Sequence, residues 1–116
     1  MEEIMKPLKA LGDESRVRIL WMLEERPLCV CELTEALGLA QSTVSRHLQL
    51  LEDAGFILAE KESQWRNYRL RPDPPPGVQG LLAVVRSEAR VEPEAKKLRE
   101  RVKTLYRVEI CAKKQA

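Results

Sequence analysis

The chain of 116 residues is long enough for one small domain with a single modest core. Its composition, 44% hydrophobic and 33% charged, is typical of a globular protein and excludes a disordered one, and no apolar run approaches the ~18 residues of a membrane span. Because the formal net charge is only +2, a nucleic-acid-binding surface has to come from the local placement of cations.

The first predicted elements are two helices. Apolar residues at positions i, i+4 and i+7 (Ile4, Leu8 and Leu11) predict a short amphipathic helix. The pattern then breaks, and Asp13 is placed to cap the next helix. That second helix is apolar nearly all round until it ends before Pro27, which is typical of a helix at the centre of a core.

Two further helices follow in the sequence. The third is short, Glu32–Leu37, with Gly38 as its C-terminal stop. The fourth, Gln41–Ala54, ends at Gly55 and has an apolar stripe at helical spacing. The stripe that we expect to face the core consists of Val44, Leu48 and Leu51.

A hairpin and two C-terminal helices complete the predicted elements. The strands are Phe56–Lys61 and Trp65–Leu70, joined by a short polar connection. The proline-rich residues 72–77 then form a stiff extended connector. Helical spacing resumes in residues 78–116, where Pro93 suits the first turn of a last helix.

Helix, short turn, helix and two-stranded ribbon, in that order, are the parts of a winged helix-turn-helix. The predicted fold is therefore mainly α with a small β-hairpin. Residues 1–71 form the winged helix-turn-helix core together with the N-terminal helix, residues 72–77 the connector, and residues 78–116 the C-terminal helices.

The fourth helix has the character of a DNA recognition helix. With its stripe inward, the opposite face carries short polar residues that suit phosphates, and Arg and Gln, which suit base edges. Hairpin cations are expected to neutralise phosphate rather than read sequence. His47 lies only about 60° from the stripe, so we expect it to pack and hydrogen-bond at the helix junction. The candidate DNA-binding residues are Gln41, Ser42, Thr43, Ser45, Arg46 and Gln49 on the helix and Lys61 and Arg66 on the hairpin, with Arg69 as a further hairpin cation.

Two thiols precede this helix, in the run Leu28-Cys29-Val30-Cys31-Glu32-Leu33. The acidic start of the chain, Met1-Glu2-Glu3-Ile4, has no signal-peptide pattern, so we expect the protein in the cytoplasm. Cysteines stay reduced there, and the three in this chain are then ligands, redox sensors or core residues rather than structural disulfides.

Several segments resemble the ArsR/SmtB metalloregulators: Leu8–Leu20, Gln41–Leu48, Leu51–Gly55 and Tyr68–Leu70. Within that family, the run around the two cysteines resembles the inducer site of the enterobacterial arsenical-resistance repressors. The resemblance implies a homodimer built mainly from the first and last helices and bound to double-stranded operator DNA. It also implies repression of a metal or metalloid resistance operon, relieved when the inducer binds.

The resemblance indicates arsenic(III) as the inducer, with antimony(III) as a second possibility. Soft ions suit all-thiolate sites, and trivalent arsenic accepts three thiolates. Cys29 and Cys31 supply two, but Thr34 stands where the enterobacterial pattern has its third cysteine. Cys111, from either subunit, is the candidate third ligand, and a small cellular thiol or water is the alternative. A second departure is Ala40, at the cap position where the family often has Ser.

Helix geometry predicts a conflict at the two thiols, because residues i and i+2 point about 200° apart. Either Cys29 lies in the loop after Pro27, or binding has to unwind the first turn of the third helix. We expect chelation to distort that helix and to move Gln41–Ala54 out of the pose that fits the groove.

Other functions stay open from the sequence. A repressor of the same fold is compatible with cadmium or lead as inducer, or with a redox switch in which the cysteines form a disulfide. An enzyme with a cysteine nucleophile lacks support, because the single histidine is already explained and no partner constellation is visible. A pure protein-interaction module would show no salt-sensitive binding to duplex DNA.

Overall fold

The computed structural model describes residues 1–105, and Cys111 lies outside them. The described part forms six helices and three short strands. None of these helices is long and apolar enough to cross a membrane. In chain order the elements are α1 (Glu2–Ala10), α2 (Glu14–Leu23), β1 (Leu28–Cys29), α3 (Val30–Leu37), α4 (Gln41–Asp53), β2 (Ile57–Glu62), β3 (Trp65–Leu70), α5 (Pro76–Ala89) and α6 (Pro93–Lys103).

The strands form one antiparallel sheet in the order β1-β3-β2. The hairpin of β2 and β3 is the predicted one, and its tight turn places Ser63 at a positive φ of 57°. The third strand, β1, was not predicted: Leu28 pairs with Tyr68, and Cys29 pairs with Asn67. Two residues are too few to show the alternation by which a strand is recognised in a sequence.

The α2 helix lies in the core, as its all-round apolar pattern predicted. Ile19, Leu20 and Met22 have no exposed surface. The indole nitrogen of Trp21 donates to the backbone oxygen of Val85 at 3.1 Å, which ties α2 to α5. The C-terminal helices therefore share one hydrophobic core with the first four helices.

Local signals predicted several helix ends. Gly38 ends α3 with a left-handed φ of 68°, a conformation that favours glycine. The α3 helix begins at Val30, earlier than the predicted Glu32. The α5 helix begins at Pro76, inside the stretch read as connector, because proline fits the first turn of a helix.

The N-terminus of α2 is capped by Asp13, whose Oδ1 accepts from the backbone N–H of Ser15 at 2.8 Å and of Arg16 at 3.3 Å. Burial of the Asp13 carboxyl raises its pKa, but these two hydrogen bonds and the positive charge of His47 and Arg16 outweigh burial. The pKa therefore lies below its usual value of 3.8. The ionised carboxylate stabilises the folded state.

An Asp13→Ala substitution is expected to lower the free energy of unfolding by about 1 kcal/mol at neutral pH, because the cap is lost. A folded-state pKa below 3.8 means that the charge contributes fully above that pH and is lost as the pH falls through the folded value. Thermal unfolding of wild type and Asp13→Asn, which keeps an acceptor without the charge, measures this contribution. The two midpoints should converge at acid pH; a constant gap down to the lowest pH would contradict the assignment.

Candidate nucleic-acid interface and thiol site

The α4 helix separates an apolar face from a polar one, as predicted. Val44, Leu48 and Leu51 have no exposed surface and pack into the core. The outward face is entirely polar, so the helix presents a continuous surface of hydrogen-bonding groups. The exposed residues on it are Gln41, Ser42, Thr43, Ser45, Arg46, Gln49 and Asp53, and the Asp53 carboxylate accepts from Gln49 Nε2 at 2.9 Å.

The first turn of α4 has no side-chain cap, because Ala40 occupies the N-cap position. The first backbone N–H groups of a helix lack partners within the helix. Such groups attract anions, and the helix dipole adds to the attraction. This end of α4 therefore suits contact with a phosphate oxygen.

The His47 side chain contacts Arg16 of α2 rather than the exposed polar face of α4. Its Nδ1 lies 3.1 Å from Nη1 of Arg16. The same guanidinium donates through Nε to the backbone oxygen of Ala10 at 2.6 Å, at the end of α1. This confirms the expected role of His47 at the helix junction, and Arg16 links α1 to α4.

The hairpin cations differ in what they contact. Lys61 and Arg66 pair across the strands, and both are exposed. Arg66 Nη2 lies 4.0 Å from Glu52 Oε1 on α4, and its Cζ lies 5.7 Å from the ring centroid of Tyr68. The first contact reaches α4 but is long and exposed, and the second stays within the hairpin. Arg69 differs because it pairs with Glu60 on the neighbouring strand at 2.7 Å, so its charge is already matched within the sheet.

The two thiols lie at the start of α3, and only one of them is helical. Cys29 ends β1 and serves as the N-cap of α3, with an extended φ of −89° and ψ of 168°. It is 3% exposed, whereas Cys31 lies in the first turn and is half-buried. Of the two alternatives raised by the spacing, Cys29 outside the helix is the observed one, in a strand rather than a loop.

A buried carboxylate joins the thiol site to the rest of the molecule. Glu32 is 2% exposed, and its Oε1 accepts from the backbone N–H of Cys29 at 3.0 Å. Its Oε2 pairs with Arg26 Nη2 at 2.9 Å. Sequence reasoning missed both residues. The available signal was the spacing Cys29-x-x-Glu32, which is that of a capping box with Cys in place of Ser or Thr.

Thr34 lies one turn after Cys31 and is 8% exposed. Its Oγ1 has no hydrogen-bond partner among the described residues. Within residues 1–105, no group of three His, Cys, Asp or Glu side chains is arranged to hold a metal ion. The described part of the chain thus offers two thiols, a donor pair that fits a thiophilic ion but leaves its donor set incomplete.

Comparison with known proteins agrees with the fold and identifies the family. A family model described as "Bacterial regulatory protein, arsR family" matches residues 13–58. The chain is 41% identical over 106 residues to the arsenic resistance transcriptional regulator ArsR1 of Pseudomonas putida, covering 86% of this chain and 83% of that one. It is 46% identical over 68 residues to the arsenical resistance operon repressor of Escherichia coli, covering 58% of each.

A solved structure extends the likeness to three dimensions. The homodimeric winged helix-turn-helix DNA-binding domain Mb0332 from Mycobacterium bovis, described as a possible ArsR-family transcriptional regulator, matches with a TM-score of 0.65 and 27% identity. The match covers 79% of this chain and 82% of that one. The winged helix-turn-helix prediction is thereby confirmed.

Proposed function

Because the chain belongs to the ArsR family of bacterial DNA-binding transcriptional regulators, we propose that it is a homodimeric repressor that releases its operator when arsenic(III) binds its cysteines. Antimony(III) is expected to act in the same way. The proposed ligands are Cys29, Cys31 and Cys111. The observation that carries the proposal is the position of the first two thiols, at the start of the helix that packs beside α4.

The chemistry of the site suits arsenite. Each thiol that displaces a hydroxide from As(OH)₃ forms one As–S bond and releases one water, so three thiols release three waters with no net proton. Reduced thiols are required, which agrees with a cytoplasmic location for a protein that binds DNA. Hard divalent ions prefer oxygen ligands and are disfavoured by a thiolate set.

Chain length supports Cys111 as the third ligand from the same subunit. The backbone oxygen of Leu105 is 3.0 Å from Arg26 Nη2. That nitrogen also lies 2.9 Å from Oε2 of Glu32, the residue that follows Cys31. Three hydrogen bonds, through Arg26 and Glu32, thus connect the backbone oxygen of Leu105 with the N–H of Cys29. Since six residues span at most about 20 Å when extended, the chain between Leu105 and Cys111 is long enough to return to the thiol site.

Release of DNA is proposed to follow from the different backbones of the two thiols. Cys29 is extended and Cys31 is helical, and we expect an arsenic atom bonded to both sulfurs to displace the first turn of α3. Since α3 packs against α4, a change in α3 moves the polar face of α4 relative to the groove. A comparison of free and arsenite-bound protein by NMR tests this step; an unmoved α3 would contradict it.

The proposed function is tested by titrating a palindromic operator with the protein, alone and with arsenite, antimonite, cadmium, lead or zinc under reducing conditions. Operator binding should weaken steeply with salt, as for any protein that displaces counterions from phosphates. Arsenite and antimonite are expected to release the DNA. Release by cadmium or lead alone would reassign the inducer, and release only by an oxidant would reassign the switch to disulfide formation.

An Arg46→Ala substitution is expected to lower operator affinity by about 1–3 kcal/mol, or roughly 5- to 150-fold, because this exposed side chain lies on the polar face of α4. Arg101→Ala removes one positive charge from α6 and is the matched control. If Arg46 reads a base, the loss is larger on operator than on a scrambled duplex. Equal affinity of Arg46→Ala and the control would remove Arg46 from the interface.

A further inference from the structure

One arginine connects the start of α3 with the end of α6. Nη2 of Arg26 lies within hydrogen-bond distance of three acceptors: Glu32 Oε2 at 2.9 Å, the backbone oxygen of Val102 at 3.1 Å and that of Leu105 at 3.0 Å. The last carbonyl groups of a helix lack partners within the helix. Arg26 therefore supplies donors to the end of α6 and, through the same nitrogen, holds a carboxylate of α3.

Both oxygens of the Glu32 carboxylate have hydrogen-bond partners, and the two partners lie on different parts of the chain. Glu32 Oε1 accepts from the backbone N–H of Cys29, a proposed arsenic ligand, while Oε2 faces Arg26. The Glu32 side chain is 3% exposed, so water is not at hand to replace a lost partner. A displacement of the Cys29 backbone therefore changes the position that the carboxylate can hold, and with it the position of Arg26.

The other ion pairs between this region and α6 are longer and more exposed. Arg101 Nη2 lies 3.8 Å from Glu35 Oε1, and both side chains are nearly half exposed. Lys103 Nζ lies 3.8 Å from Glu25 Oε1. Exposed pairs at such distances couple their elements weakly. Among these contacts, the one between Arg26 and Glu32 is the shortest, and its carboxylate is buried while the Arg26 side chain is 37% exposed.

We propose that Glu32 and Arg26 form a relay through which occupancy of the thiol site loosens the C-terminal end of α6. The relay rests on the proposed function, because it takes Cys29 and Cys31 as the arsenic ligands. When the two sulfurs converge, each As–S bond replacing one As–OH with loss of water, the N–H of Cys29 moves away from Glu32 Oε1. Glu32 then shifts, and Arg26 leaves the carbonyl groups of Val102 and Leu105. The response to arsenite thus reaches α6 as well as α4.

The test is amide hydrogen exchange by NMR on the full chain, free and arsenite-loaded. The reporters are the N–H groups of Thr104 and Leu105, which donate to Arg101 and Val102. Arsenite should speed their exchange roughly tenfold, the effect expected when hydrogen bonds to a charged group are lost. Arg26→Lys keeps the charge but loses the planar fork. In this variant the N–H groups of Thr104 and Leu105 should exchange at the faster rate even without arsenite, and arsenite should change that rate little. Glu35→Ala, which removes the exposed pair with Arg101 and leaves Glu32 and Arg26 untouched, should respond as wild type does.

The outcomes separate the relay from the function on which it rests. Sulfur-to-arsenic charge-transfer absorption reports binding, and operator anisotropy reports release. Arsenite binding and operator release with unchanged exchange at Thr104 and Leu105 in wild type would overturn the relay alone. Absence of arsenite binding would contradict the proposed function, and the relay with it. Because the decisive comparison uses wild type, it holds even if Arg26→Lys folds poorly.

Discussion

A Cys31→Ser variant is expected to bind the operator with wild-type affinity and to stay bound when arsenite is added. Cys31 is half-buried in the first turn of α3, where serine has similar size and is compatible with the helix. Loss of one soft ligand should weaken arsenite binding by on the order of 100-fold or more, at least the effect of losing an outer-shell partner. Operator anisotropy under reducing conditions measures both affinities.

Two companion variants sharpen this expectation. Cys29→Ser should also lose the response while keeping the fold, because serine is a favoured N-cap residue and Cys29 occupies that position in α3. Thr34→Val is the matched control on the same helix, since it removes a buried hydroxyl that has no partner among residues 1–105. It should respond to arsenite as wild type does. A Cys31→Ser protein that still releases the operator at wild-type arsenite concentrations would remove Cys31 from the site.

A Glu32→Ala variant is expected to lose about 1–3 kcal/mol of unfolding free energy, the cost of leaving a buried donor without its acceptor; the Arg26 side chain is 37% exposed, so water screens the charge that remains there. The substitution leaves the N–H of Cys29 without its acceptor and Arg26 without its counter-charge. A loss of this size is a large share of the ~5–15 kcal/mol that stabilises a typical domain. Urea unfolding followed by circular dichroism measures it.

Glu35→Ala provides the comparison for that measurement. Glu35 lies on the same helix and pairs with Arg101 at 3.8 Å, but its side chain is 45% exposed. Exposed pairs contribute about 0–1 kcal/mol, so this variant should unfold close to wild type. If the two variants unfold at the same urea concentration, the network around Glu32 contributes no more than a surface contact.

The sequence predicted the elements whose signals are local. The stripe of Val44, Leu48 and Leu51 repeats at helical spacing and is fully buried. The strand Trp65–Leu70 and the stop at Gly38 also lie where the pattern placed them. Each of these features depends on neighbours within a turn or a hairpin, so a single sequence contains the information needed.

The features that the sequence did not reveal depend on contacts between distant residues. Arg26 reaches the oxygens of Val102 and Leu105, which are 76 and 79 positions away in the chain. No periodicity marks such a contact. The strand that carries Cys29 is defined by its pairing with β3 rather than by its own pattern.

The candidate site was predicted in part. The pair of cysteines and the polar face of α4 were identified from residue type and spacing. The spacing alone left two backbone arrangements open for Cys29, and the structure places it in an extended N-cap position. Cys111 stays a prediction, because it lies outside the described residues.

Release of DNA on occupancy of the thiols can be followed in a single titration. Operator-bound protein is titrated with arsenite in excess reductant while operator anisotropy and arsenic-thiolate absorption are recorded together. Both signals should change in parallel and saturate at one arsenic per subunit. Operator that remains bound when the arsenic-thiolate signal is saturated would contradict the proposed release.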